Sequence, residues 1–186
     1  MNKLILYIVV LFSLSCQESK KENNVLSYFD TSEFVNTAIK ELTVQGFTAN
    51  KEIVLNEKTE TKNVINLDST FLSNEFKLLK SANINKPALL GFYTEDTLAK
   101  NNEMQIKYFP LAEKESKFKT KELNLIYNAD NSLEEVSVVV ASENFMHAYR
   151  KELVYITKQS LIIKSWEKTM FQDTLFYETK LTLIKK

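Results

Sequence analysis

The chain is poor in the residues that make chemistry easy to assign. One cysteine, Cys16, stands in 186 residues, so no intrachain disulfide can form and no cysteine cluster can hold a metal. The two glycines, Gly46 and Gly91, are too far apart for a phosphate-cradling loop or a dinucleotide fingerprint. A single histidine, His147, cannot make a multi-histidine metal site, and a serine triad built on it would lack a Gly-X-Ser-X-Gly elbow. With Arg150 as the lone arginine, the bidentate forks usual in phosphate recognition are almost absent. Neither sign of charge prevails, with 24 basic and 24 acidic residues. That balance argues against a nucleic-acid partner and against an electrostatic grip on anionic headgroups.

Long apolar runs are also scarce. The longest, Leu4 to Leu14, is broken only by Ser13 and has about half the ~20 residues that a spanning helix needs. Lys3 precedes it and small Ser15 follows, so residues 1–15 read as a secretory signal. Ser13-Leu14-Ser15-Cys16 resembles a bacterial lipobox. The resemblance implies cleavage before Cys16, diacylglycerol on its sulfur and an N-acyl chain, with no other cofactor. The expected partner of this anchor is a membrane, and the expected place is the cell envelope, at the outer membrane. Each buried methylene contributes about 0.8 kcal/mol, so two or three chains hold a domain far more firmly than one.

Residues 16–24 carry no apolar side chain after Cys16 and read as a tether, leaving 25–186 as a single domain. Asp30 is placed to cap a helix in which Phe34, Val35, Ala38, Ile39 and Leu42 recur at helical spacing, ended by Gly46. Ile53–Leu55 and Val64–Leu67 read as short strands around a charged loop at 56–63. Asp68 caps a second helix with Phe71, Leu72, Phe76 and Leu79 on one face, and Pro87 forbids its continuation past Asn85.

From Leu89 onward the apolar period is two. Met104, Ile106 and Tyr108, then Leu123, Leu125 and Tyr127, then Val136, Val138 and Val140 recur at every second position, with mostly polar residues between them. The runs Tyr149–Ile156, Leu161–Trp166 and Leu175–Ile184 continue the pattern, separated by turn residues. The pattern predicts an α+β fold, one strongly twisted antiparallel meander of about 7–9 strands covered by two amphipathic helices. Whether the sheet encloses a cavity is left open by the pattern.

Candidate sites are few. Carboxylate catalysis needs two acids about 5–10 Å apart, and Glu95 with Asp96, Glu134 with Glu135, and Glu143 sit at strand ends or loops. His147 is expected at a strand start, partly exposed. Aromatic residues concentrate in the last third, and Tyr149, Tyr155, Trp166 and Phe176 are the expected contacts for an apolar ligand or a protein partner. Core packing is the competing role for each of them.

Asn85-Lys86-Pro87-Ala88 and Asp96-Thr97, with the lipobox, the early helix and the C-terminal strands, resemble a group of small envelope lipoproteins of the Bacteroidota. That resemblance implies location and architecture and no particular activity. The expectation is therefore a non-catalytic envelope lipoprotein that binds an apolar ligand or an envelope protein. A carboxylate- or histidine-dependent hydrolase and a purely structural protein are the alternatives.

Overall fold

The computed structural model describes residues 27–56, 58–100 and 102–185. The signal at 1–15, Cys16 and the tether lie outside the described residues.

Helix α1, Thr31–Val44, starts where Asp30 Oδ1 accepts the N–H groups of Ser32 (2.9 Å) and Glu33 (3.0 Å), and it buries Val35, Ala38 and Leu42. Gly46 follows it at φ 68, a left-handed value that glycine adopts without strain. A hairpin of β1 (Thr48–Leu55) and β2 (Lys58–Val64) comes next. Asp68 then caps α2 (Ser69–Glu75) through the Phe71 N–H at 2.7 Å. The expected second helix is broken at Phe76, beyond which α3 spans Lys77–Ser81. The break accompanies burial of the Phe76 ring, which meets the Tyr155 ring edge-on at 4.9 Å. Three helices therefore cover the sheet, two of them from the segment read as one.

Seven further strands run as successive hairpins: β3 (Tyr93–Lys100), β4 (Glu103–Pro110), β5 (Thr120–Tyr127), β6 (Leu133–Glu143), β7 (His147–Ile156), β8 (Ser160–Thr169) and β9 (Leu175–Ile184). The last strand then pairs antiparallel with β1, from Thr48↔Ile184 to Leu55↔Tyr177. This gives one nine-stranded antiparallel sheet in the order β2-β1-β9-β8-β7-β6-β5-β4-β3, open rather than closed into a barrel, with β2 and β3 at its edges.

The expected charged loop at 56–63 is mostly strand β2. Its residues Lys58 to Asn63 are exposed, so no apolar alternation marks it. As an edge strand it has one neighbour, and ladder bonds to β1 suffice to hold it while its charges discourage edge pairing with another chain.

Because side chains alternate across a strand, the register sorts residues onto two faces. Val136, Val138, Leu153, Tyr155, Leu161, Leu181 and Leu183 share one face, where they pack with Leu42, Leu72, Phe76 and Leu79 of the helices. No helix packs on the opposite face among the described residues, and it carries Arg150, Trp166 and Phe176 in one cross-strand row.

Candidate functional site

Both long hairpins β6–β7 and β8–β9 turn at the same end of the sheet, as shown by the pairs Glu143↔Ala148 and His147↔Thr169. Strand β5 begins at that end, opposite Val140. There a groove of about 600 Å³ is lined by Ala141, Ala148, Tyr149 and Trp166, together with Lys121, Arg150, Lys168 and Glu143. Its apolar wall comes from the Trp166 indole, whose ring lies 5.5 Å from that of Phe176 on the adjacent strand. Its rim has three cations and one acid. Lys121 Nζ donates to the Glu115 carbonyl, while Arg150 Nη2 sits 2.8 Å from Glu152 Oε1. Concave, mostly apolar surface with a few charged groups is the usual form of a small-molecule site.

The four expected contacts are divided by the register. Trp166 and Phe176 are half-buried on the face away from the helices. Tyr149, on the helix-side face, is half-buried against the core cluster and also lines the groove. Tyr155 is corrected to a core residue: it is 1% exposed, wedged between Phe34 and Phe76, and its hydroxyl accepts the Lys158 N–H at 3.1 Å. Odd positions of β7 share the helix-side face, and Tyr155, unlike Tyr149, is fully buried there. Aromatics close together in the sequence are thus separated in space.

Beside Tyr149 the helix-side face holds a polar cluster that sequence reading missed. Lys151 Nζ donates to Glu167 Oε1 (2.7 Å) and to the Tyr177 hydroxyl (3.3 Å), and it lies over the Tyr149 and Tyr177 rings at 5.7 and 5.9 Å. Ser165, fully buried, donates to the same Glu167 oxygen at 3.4 Å. Burial opposes the charge on Lys151, but Glu167 and Tyr177 outweigh it and its pKa is raised. Glu167 is held below the usual carboxylate range chiefly by the bond from Lys151. This cluster is an ion pair backed by aromatic faces.

The catalytic candidates do not converge. Glu95 and Asp96 are consecutive on β3, and Glu134 and Glu135 on β6, so each pair points to opposite faces of the sheet. Glu95 lies across from buried Tyr108, whose hydroxyl pKa is raised by burial first and by the Glu95 charge second. Glu143 is exposed at the end of β6. His147 lies at the start of β7, half-buried, with its ring 5.7 Å from Tyr149. Among the described residues no three His, Cys, Asp or Glu side chains gather as metal ligands would. No helix among them is long and apolar enough to cross a membrane.

No family model and no curated protein matches the chain. Among solved structures it is similar to an S-type phycobiliprotein lyase, CPES, from Guillardia theta, at 11% identity over 83% of this chain and 97% of that one. The TM-score is 0.25, and the likeness carries no argument about function.

Proposed function

We propose that this chain is an envelope lipoprotein, anchored at the outer membrane through acylated Cys16, whose domain binds an amphiphilic ligand in the groove at Trp166 without catalysing a reaction. The observation that carries the binding reading is the composition of that groove, an indole wall beside Lys121, Arg150 and Lys168. An apolar body would lie along Trp166, Ala141 and Ala148, and an anionic group would meet the cations of the rim. The helix–sheet interface is filled by buried aliphatic and aromatic side chains, so the groove lies outside the core rather than within it. The anchor is supported by the lipobox-like Ser13-Leu14-Ser15-Cys16 and the polar stretch after it.

The test is lipid extraction and mass spectrometry of the full chain purified from membranes, set against Trp166→Ala and Lys168→Glu. The binding reading expects a co-purifying anionic amphiphile that both variants lose. Equal ligand content in all three chains, or none in the parent, would overturn it. Labelled fatty acid incorporated by the parent and not by Cys16→Ser tests the anchor separately.

A further inference from the structure

We infer that the end of the sheet carrying the β6–β7 and β8–β9 loops is a membrane-contacting surface that dips apolar side chains into a lipid bilayer. The two ends of the sheet differ in kind. At one end the hairpins turn through polar residues, with Asn131 and Lys158 at φ 63 and 59 and Ser132 donating its N–H to Asp130 Oδ1. At the other, beside the polar β1–β2 turn and the charged segment 111–119, the tips of the β6–β7 and β8–β9 loops are Phe145-Met146 and Met170-Phe171, with Phe145 83% and Phe171 87% exposed.

Loop tips normally take polar residues, and single exposed apolar side chains need no explanation. Here two adjacent loops carry an apolar pair each, and they are joined: the Met170 N–H donates to the Met146 carbonyl at 3.1 Å. The first loop is further shaped by Asn144, whose Oδ1 accepts the N–H groups of Met146 and His147, both at 2.9 Å. These bonds tie the two loops together and shape the first, and both phenylalanines lie exposed on them. The surface is a protrusion, which suits insertion among lipid chains better than docking into a partner's flat face.

The place where the described chain begins favours the bilayer as the occupant. Tyr28, the second described residue, is fastened at this same end. Its hydroxyl accepts the N–H groups of Gly91 (2.9 Å) and Tyr93 (3.2 Å) and donates to the Tyr93 carbonyl (3.0 Å). Tyr93 begins β3 and donates in turn to the Thr120 carbonyl at the start of β5 (2.9 Å). Ten residues lie between Cys16 and Ser27, eleven Cα steps with a reach of at most about 40 Å at full extension. Strands β6 and β8 lie three and five positions from β3, about 14 and 24 Å across the sheet. An anchor at Cys16 can thus bring both loop tips to the membrane, because the chain enters the domain at their end of the sheet. That last step rests on the proposed acylation, whereas the loop geometry does not.

Depth-dependent quenching by lipids brominated on their acyl chains tests the inference in the full chain reconstituted into vesicles. Trp166→Phe supplies the background, into which Phe145→Trp, Phe171→Trp and, as a control on the outer face of α1, Val44→Trp are introduced singly. Circular dichroism checks that each chain folds. Quenching at 145 and 171 but not at 44 is the expected result, and replacing both phenylalanines by serine should lower vesicle partitioning of an unacylated chain about tenfold per ring. Equal quenching at all three positions, or none at 145 and 171 in an acylated chain, would overturn the inference while leaving the anchor intact. If Cys16 proves to carry no fatty acid, the anchor falls, and quenching when vesicles are added to that chain still decides the role of the loops. A protein partner that shields both positions from a water-soluble quencher, without any bromolipid effect, counts against the bilayer.

Discussion

Asp30 and Asn83, 53 residues apart, are joined by a 3.0 Å hydrogen bond from the amide of Asn83 to the carboxylate that caps α1. Asn85 adds a second amide at 3.4 Å to the other carboxylate oxygen and accepts the Tyr28 N–H at 3.1 Å. One carboxylate thus fixes the start of α1, the segment after α3 and the point where the chain enters the domain.

Asp30→Ala is expected to lower unfolding stability by about 1–2 kcal/mol, the usual effect of losing an N-cap. Its pKa is lowered from 3.8, first by the Glu33 N–H. The sign follows from that direction. With a folded pKa below the unfolded one, the contribution is complete above the ordinary carboxylate value and is lost as pH falls through the lower folded value. Urea midpoints of the parent and of Asp30→Asn should therefore differ at pH 7 and draw together in strong acid. A difference that does not change with pH would refute the assignment.

Tyr155→Ala is expected to cost about 3–5 kcal/mol, because the ring fills the space between Phe34 and Phe76 under the helices. Trp166→Ala, on the uncovered face, should cost far less in stability and act on ligand content instead. Thermal or chemical denaturation of the two variants side by side checks the assignment, and similar losses would place both rings in the core.

The contrast between these two aromatics marks what the sequence makes legible. Period-two alternation tells which residues share a face of one strand, and it puts Tyr149, Leu153 and Tyr155 on the same face of β7. It does not tell how deeply each residue of that face will be buried, and Tyr149 is half-buried where Tyr155 is 1% exposed. The Asp30 and Asp68 caps were readable because capping is local, satisfied within three residues. Strand β2 was not, since an exposed edge strand needs no apolar residue to form its ladder. The groove was also hidden. Lys121, Arg150 and Lys168 belong to three strands, and only the register Arg150↔Trp166, together with the β5–β6 pairing, brings them to one end of the sheet.

Lys151 and Glu167 should couple by about 0.5–1 kcal/mol in a double-mutant cycle using Lys151→Met and Glu167→Gln, near the upper end for a partly exposed pair. Lys151, with its pKa raised from 10.5, contributes fully below that value and loses the contribution as pH rises through the higher folded one. Glu167, lowered from 4.5, contributes above that value and loses it as pH falls through the lower folded one. The coupling energy is therefore expected to be level through the neutral range and to vanish in strong acid and in strong base. A coupling of zero at neutral pH would show that the 2.7 Å contact adds nothing to stability.

The last strand pairs with the first inside the open sheet, and adjacent residues of β9 test that register. Leu181 pairs across to Lys51 of β1 and Leu161 of β8, on the helix-covered face, and is 1% exposed. Lys180, one residue earlier, faces the other way and is exposed. Leu181→Ala should cost about 2–5 kcal/mol as a cavity in the core, while Lys180→Ala should change stability by no more than about 0.5 kcal/mol. A one-residue slip of β9 would exchange these two outcomes, because it would move every side chain of the strand to the opposite face. Hydrogen exchange supplies an independent reading. Since β9 bonds to both β1 and β8, its amides should open with the whole domain and those of β1 with them, whereas the exposed edge β2 should exchange by local fraying. Protection of β2 equal to that of β9, or loss of β9 protection without loss of the rest, would contradict a sheet held together through this long-range pair.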